Sequence, residues 1–523
     1  VDVRALVWAN IMSNDDRGSN REAVRALNRY YDFSAYHTAG GGTGTDPERG
    51  RVDVGAMPSI PPGVKRGQAC RDSLTRSIGA HHQKASVVRN RFGDFAFVGG
   101  IDLVHGRWDT QLHHDPADDE RSNTKGWHDV HVMLEGPVVA DVIRNFHQRW
   151  NAYVASAPTD ESGDPIDLTG IESVGEMPST GNAVADWRGP VIRGPEDGDI
   201  SPHTNLEAGP DDRRPSKPTH IVSICRTIPP FIDAYNGFVK ARDDGGGGPF
   251  GELGCLASFR NAIQHARRYV YIEDQYFIHP VLIDLLIERL THPQPRERLK
   301  RLFVIIPEVL ADDPINDTVY HHYRRDAVNR IRHAVRQMIA PELGTSPDQV
   351  AEEAVDRVFV AAHLRRLSGT ELYLHAKHMI VDDLWMVISS SNFSRRGMSF
   401  ETEIGACISD AAVEDGVRKC VRDQRIRLWS EHLRLSRRDQ HRIIDPAAGL
   451  DMLADARFRP DLPLIEFQFD NPHLPFAFDP EEYVSETELI YNYICDPDGE
   501  VQEDPTDRAT AKAAYDLIKG GMG

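Results

Sequence analysis

Apolar residues recur along this chain with two periods that take turns. From Cys255 the stretch CLASFRNAIQHARRY places Leu256, Phe259, Ile263 and Ala266 on one helical face, and VYIEDQYF follows it as a strand. Pro280 opens a second helix, PVLIDLLIERL, and RLFVIIP at 301–307 reads as a buried strand. A long helix, YHHYRRDAVNRIRHAVRQMI, leads to the strands DRVFVAAHL and LHAKHMIVD, the latter spanning 374–382. The first part of the chain runs in the same order with weaker signals. VDVRALVW is a strand, NREAVRALNRYY a helix, RVDVGAM a strand, and HHQKASVV at 81–88 another strand. Strands alternating with helices predict layered α/β architecture, and the repeated order predicts two related units. The first unit has no counterpart to the CLASFRNAIQHARRY helix and VYIEDQYF strand. We therefore expect a further strand and helix ahead of Val1.

Composition marks the boundaries. Residues 156–217 are rich in Pro, Gly and acid with little periodicity, and RDDGGGGPF at 242–250 is a second flexible stretch. The expected division is a first half at 1–155, an insertion at 156–217, a second half at 218–435 and a C-terminal extension at 436–523. That extension is expected to pack on the second half and to end in a short solvated helix, DRATAKAAYDLIKG.

The 523 residues carry 60 Lys and Arg against 80 Asp and Glu, a formal charge of -20, which opposes non-specific attraction to nucleic acid. No apolar run approaches the roughly 18 residues of a membrane-crossing helix. The cysteines at 70, 225, 255, 407, 420 and 495 show no C-x-x-C spacing and read as isolated thiols. The chain opens directly on a strand without Met, an opening compatible with a signal peptide that was removed or never numbered. Localisation is left open.

Two segments carry chemistry on apolar strands. His82 with Lys84, and His375 with Lys377, repeat an H-x-K pattern at the same place in each unit, and residues two apart on a strand share a face. Each leads through a turn to a strand ending in small residues, FVGGID at 97–102 and VISSSN at 387–392. The second copy, His375, Lys377 and Asp382 followed by Ser390 and Asn392, resembles the H-x-K-x4-D and G-S-x-N motifs of the phospholipase D superfamily. YIEDQYF, FVGGIDLVHGRWDT, WHDVHVMLEGP and LWSEHL resemble its eukaryotic-type branch, with similarity over about residues 1–155 and 219–435.

The resemblance implies two fused α-β-α sandwich domains related by a pseudo-twofold, with both H-x-K strands meeting at one site on their interface. It implies a two-step phosphodiester reaction that needs no cofactor or metal, hydrolysing the headgroup ester of phospholipid at a membrane or micelle surface, with a phosphatidyltransferase, a nuclease of the same superfamily or a catalytically impaired lipid-binding homologue as the alternatives. His82 is expected as nucleophile and His375 as general acid, because imidazole serves both posts near neutrality. Lys84, Lys377, Ser390 and Asn392 are expected to meet the phosphate charge. By family position, Asp129 is expected to orient His82 and Glu403 to orient His375. The internal repeat makes a monomer sufficient, and no nucleic acid is expected as partner. LHHD at 112–115 and HDVH at 128–131 read as loop residues rather than as a ligand cluster, and Trp108, Trp127 and Tyr276 as core packing. One departure stands out: Arg89 occupies the place of the first motif's Asp, with Asp94 in the following turn as a substitute carboxylate. Asp102 stands where Asn is the better phosphate donor.

Overall fold

A computed structural model describes residues 4–8, 68–72, 80–90, 93–102, 107, 109–111, 113, 126–156, 220–229, 251–308, 314–410, 413–414, 416–470, 479–497 and 505–521. The NREAVRALNRYY helix, the RVDVGAM strand and both flexible stretches, apart from residue 156, lie outside them. The chain divides into two compact units: Val1–His81 with Arg144–Gly194 and Ile232–Phe238, and His82–Ile143 with Pro195–Phe231 and Val239–Gly523. In the first, strand β1 (Arg4–Trp8) pairs in parallel with β2 (Gln68–Asp72). Both H-x-K segments belong to the second unit.

That second unit contains β3 (Ala85–Asn90), β4 (Gly93–Gly99), β5 (Trp127–His128) and β6 (His131–Glu135). It continues with β7 (His220–Ile228), β8 (Glu252–Leu253), β9 (Tyr269–Asp274), β10 (Arg301–Ile305) and β11 (Phe359–Leu364). Next come β12 (Tyr373–Leu374), β13 (Lys377–Val381), β14 (Trp385–Ser389) and β15 (Glu403–Asp410). A short hairpin of β16 (Val413–Glu414) and β17 (Val417–Arg418) and the edge strand β18 (Leu464–Glu466) complete the set.

Nine strands form one sheet in the order β18-β11-β10-β9-β13-β14-β15-β7-β8. β9, β10 and β11 run parallel, as helical crossovers require, whereas β13, β14 and β15 are antiparallel neighbours. Every residue of β9, β11 and β13 is buried, because both sheet faces are covered, which explains their apolar stretches at 269–272, 359–362 and 379–381. On one face the helices Gly254–His265, Pro280–Leu290 and Pro314–Leu343 bring Phe259, Ile263, Leu282, Leu286, Val328 and Ile331 onto Ile272, Val304 and Met379. On the other, Trp429 of the helix Lys419–His432 lies 5.8 Å from Tyr269 and 5.5 Å from Tyr271, ring to ring. The result is a layered α-β-α sandwich, the α/β layering that the pattern predicts and the sandwich that the resemblance implies.

The LHAKHMIVD stretch departs from expectation because it is two strands. β12 pairs in parallel with β5, while β13 pairs antiparallel with β9 and β14. His375 and Ala376 fall at the break, and both of their amides donate to the carbonyl of His128, at 2.8 and 3.1 Å. The chain thus leaves one sheet and enters another at the histidine, which frees that side chain from core packing. β3, β4 and β6 form a separate antiparallel sheet whose β4 lies against β14 and β15.

Two smaller expectations are corrected. The C-terminal helix, Pro505–Gly521, is not simply solvated: it buries Ala511, Ala514 and Ile518, and Ile518 joins a cluster with Ile315, Val319, Ile490 and Tyr491. Three cysteines are not isolated. The Cys225 sulfur, on β7, lies 3.9 Å from that of Cys255 and 3.7 Å from that of Cys407 on β15, because the sheet register and the packing of the helix Gly254–His265 converge there.

Candidate active site

The two H-x-K segments are built alike. The His82 amide donates to the carbonyl of Thr402 at 3.0 Å, and its Nδ1 lies 2.8 Å from Oε1 of Glu403, the next residue. The His375 amide donates to the carbonyl of His128, and its Nδ1 lies 2.7 Å from Oδ2 of Asp129, again the next residue. Each lysine folds back on its own histidine: Lys84 Nζ donates to the His82 carbonyl at 3.0 Å and Lys377 Nζ to the His375 carbonyl at 2.6 Å. These matched contacts reverse the expected carboxylate pairing: Glu403 holds His82 and Asp129 holds His375. Each histidine takes its carboxylate from the other half, since the backbone bond that docks it ends one residue before that carboxylate.

Local structure sets the carboxylates. Glu403, fully buried, begins β15, and the register of β14 with β15 puts Ser390 beside it. The Ser390 hydroxyl donates to Glu403 Oε2 and accepts from the Ile404 amide at 3.0 Å. Ser390 is therefore committed to bracing Glu403, a correction to its expected phosphate contact. Asp129 accepts from the Val130 amide at 2.7 Å and sits over Gly100, where a Cβ would come within 2.2 Å of its Oδ1. That close approach is the reason for the small residues in FVGGID.

Asn392 is buried and its amide oxygen has no partner among the described residues, leaving its side chain available to a ligand. The turn it opens is pinned by Asp274, which accepts from the amides of Tyr276, Phe277 and Phe393 at 2.8, 3.2 and 3.0 Å. Asp102 does not face a ligand as a donor; its carboxylate lies 3.5 Å from Lys84 Nζ and 3.8 Å from Arg107 Nε. Gln275, not singled out by the motif, accepts from Lys377 Nζ at 2.9 Å. Trp127 flanks the site, its ring 4.6 Å from that of His375, with the Arg107 guanidinium 3.4 Å above it. Tyr276 packs on Tyr320 at 4.9 Å, and Trp108 lies outside the described residues.

Asp382 stands apart from the histidines. It follows β13 with φ of 57° and accepts from the backbone amides of Arg267, Arg268 and Tyr269, at 2.8, 2.8 and 2.7 Å. It joins β13 to the start of β9 rather than reaching the reacting centre. Asp94, expected in a turn, lies instead in β4, directly across from Arg89 in β3.

Burial, then the Lys84 and Lys377 ammonium groups and Arg396, hold the His82 imidazole well below the usual range. Burial, Lys377, Lys84 and His82 itself do the same to His375. Each histidine thus feels cations from both halves. Burial pushes the Asp129 carboxyl up to about 7 and the Glu403 carboxyl well above its ordinary value, and it lowers the Lys377 ammonium to about 8. With Nδ1 of each ring held by a carboxylate, Nε2 is the nitrogen left for chemistry.

Paired His–Lys segments on an α/β sandwich, each histidine braced by a buried carboxylate, define a two-histidine centre. The family model described as "Phospholipase D" matches residues 1–204, and that described as "Cardiolipin synthase, PLD-like domain" matches residues 335–422. The chain is 25% identical over 518 residues to Phospholipase D alpha 2 of Oryza sativa subsp. japonica, covering 83% of this chain and 56% of that protein. It is 23% identical over 429 residues to Phospholipase D alpha 1 of Nicotiana tabacum, covering 68% of this chain and 49% of that one. Among solved structures it is similar to phosphatidylserine synthase of Haemophilus influenzae, with a TM-score of 0.37, 13% identity and coverage of 73% and 70%. It is also similar to Nuc of Salmonella typhimurium, with a TM-score of 0.23, 13% identity and coverage of 40% and 93%. The chain belongs to the phospholipase D superfamily. It spans about half the length of the curated relatives it matches.

Proposed function

We propose that the protein is a phospholipase D-type phosphodiesterase that hydrolyses the headgroup ester of glycerophospholipids through a covalent phosphohistidine. The supporting observation is the crossed pair of contacts, His82 with Glu403 and His375 with Asp129, each holding Nδ1 of one ring, with a lysine folded onto each histidine's carbonyl. In this reading His82 Nε2 attacks phosphorus, forming a P–N bond as the P–O bond to the headgroup alcohol breaks. His375 donates its proton to that alcohol, then takes one from the water that attacks the phosphohistidine and releases phosphatidic acid and free His82. Lys84, Lys377 and the Asn392 side chain meet the charge on the phosphate oxygens. The substrate's negative charge offsets the lysines that depress both imidazoles, so binding itself favours the protonated His375 the first step needs.

The acidic chain favours a phospholipid at a membrane or micelle surface over nucleic acid, which would require a basic track. Among the described residues no helix is long and apolar enough to cross a membrane. The test is release of choline or ethanolamine from vesicles of the corresponding phospholipid, with DNA as a second substrate and His375→Asn as control. Acid quench during turnover should trap phosphate on His82; label on His375 alone would exchange the roles. Transfer to an alcohol is the second reading, favoured by the match of residues 335–422 to the cardiolipin synthase model. A primary alcohol added to the assay separates the two, since a transferase forms the phosphatidyl alcohol in preference to phosphatidic acid.

A further inference from the structure

Next to the segment that carries Asp129 lies a second group of histidines and carboxylates, outside the reacting pairs. His113 Nε2 lies 3.2 Å from Glu431 Oε1, and His128 Nδ1 lies 3.3 Å from the same oxygen. The opposite nitrogen of each ring also faces a carboxylate: His113 Nδ1 is 3.1 Å from Asp109 Oδ2, and His128 Nε2 is 2.9 Å from Glu273 Oε2. Both rings are buried, at 8% and 7% exposure, so water does not relieve these contacts.

Proton counting makes this arrangement informative. A neutral imidazole has one N–H and one lone pair, so two neutral rings supply two N–H groups for four carboxylate contacts. If each donates outward, to Asp109 and Glu273, then two ring lone pairs converge on the lone pairs of one Glu431 oxygen. Either extra protons sit on the rings or the carboxylates, or a cation occupies the point of convergence. The distances suit a cation. With zinc–ligand bonds of about 2.1 Å, adjacent ligand atoms of a tetrahedral site stand about 3.4 Å apart. The two measured separations are 3.2 and 3.3 Å, and the three atoms all lie within 4.8 Å of one another.

The surrounding contacts match what a zinc-bound histidine needs, an outer N–H held by a carboxylate that fixes ring orientation. Asp109 is itself fixed by the Thr110 amide at 2.7 Å and by Arg366 at 3.3 Å. Glu273 also accepts from His432 Nε2 and from the Tyr271 hydroxyl, each at 2.6 Å. Two imidazoles and a carboxylate, without thiolate, select a borderline divalent ion of the zinc class over calcium or magnesium.

We propose that His113 Nε2, His128 Nδ1 and Glu431 Oε1 bind one zinc-class divalent cation. This revises the expectation that LHHD and HDVH are ordinary loop residues. The ion takes no part in phosphoryl transfer. It ties His113 and the helix Lys419–His432 to His128, whose carbonyl holds the His375 backbone and whose successor is Asp129. Its role is to position the His375 pair and to stabilise this part of the chain.

The test uses the full chain, stripped with a chelator and titrated with Zn2+ or Co2+, reading metal content, melting temperature and the visible spectrum of the cobalt form. We expect one tightly held equivalent, a rise in melting temperature on zinc addition and a four-coordinate cobalt spectrum. Glu431→Gln and His113→Ala should each lose the tight equivalent and the zinc-dependent rise, and Asp109→Asn should weaken binding by about ten-fold or more. His441→Ala, an exposed histidine far along the chain, should change nothing. No stoichiometric uptake by the stripped wild-type protein, a six-coordinate spectrum, or full binding retained in Glu431→Gln would overturn the proposal. The wild-type measurements decide it even if a variant fails to fold.

Discussion

The His82 imidazole and the Glu403 carboxylate are 321 positions apart in the chain and 2.8 Å apart in space. The His375 and Asp129 pair crosses in the opposite direction, 246 positions apart and 2.7 Å apart. Neither H-x-K segment is therefore complete without the other half. Lys84 lowers the proton affinity of His375, and Lys377 that of His82, so the halves are coupled electrostatically as well.

The crossing separates two variants that would otherwise look alike. Glu403→Gln should disable the nucleophile, and Asp129→Asn the acid. Each should lower kcat for a choline headgroup by about 100-fold to 10,000-fold. A p-nitrophenyl phosphodiester, whose leaving group needs no proton, should recover most of the first-step loss in Asp129→Asn, read as the initial burst of p-nitrophenol, and little of it in Glu403→Gln. The reverse pattern of recovery would mean that His82 is the acid and His375 the nucleophile.

Ser390 offers a sharper distinction between binding and positioning. Its hydroxyl touches Glu403 and the Ile404 amide, so Ser390→Ala should lower kcat by about ten-fold, the cost of one hydrogen bond to a charged group, while KM stays close to wild type. A rise in KM at unchanged kcat would return Ser390 to the phosphate-binding role its motif suggested.

Much of this was legible in the sequence. The helix Pro280–Leu290 coincides with its PVLIDLLIERL stretch, β10 and β11 lie within the predicted runs, and β9 begins one residue before its own, because strands covered on both faces are built mostly of apolar residues. The carboxylate pairing was not legible. A linear motif encodes spacing within one segment, whereas the pairing depends on which carbonyl each histidine amide meets, those of Thr402 and His128. The break at His375 was hidden for a related reason: Leu374 and Met379 are both buried, but in different sheets, and hydrophobic pattern does not record a change of partner. Nor could spacing reveal that Asp109, His113, His128 and Glu431 meet, since they come from separate elements.

The buried charges give a pH signature in stability. Asp129 titrates at about 7 in the folded protein against an ordinary 3.8, so between those values the folded state holds more protons than the unfolded one, and stability falls as pH rises through this window. Lys377 titrates at about 8 against 10.5, so from pH 8 to 10.5 the unfolded state holds more protons and stability rises. Melting curves should show the advantage of Asp129→Asn over wild type growing from pH 4 to 7, and any advantage of Lys377→Met shrinking from pH 8 to 10. Parallel profiles for wild type and variants would show that neither group is perturbed by burial.

Asp382 belongs to the H-x-K-x4-D pattern, yet its carboxylate is spent on three backbone amides that begin β9. Removing it leaves those donors without their acceptor, and Ala is also unfavourable at a φ of 57°. Asp382→Ala should therefore cost about 3 kcal/mol of stability, while Asp382→Asn, which keeps one acceptor oxygen and tolerates this backbone, should cost less. In both, kcat per folded molecule should stay within a few-fold of wild type, measured below the lowered melting temperature. The same reasoning covers the first segment. If the motif's Asp serves the fold and not the chemistry, Arg89 in its place does not disable the enzyme, and Arg89→Asp should leave kcat unchanged. An Asp382→Asn protein that melts like wild type but has lost its activity would place this carboxylate back in the reaction.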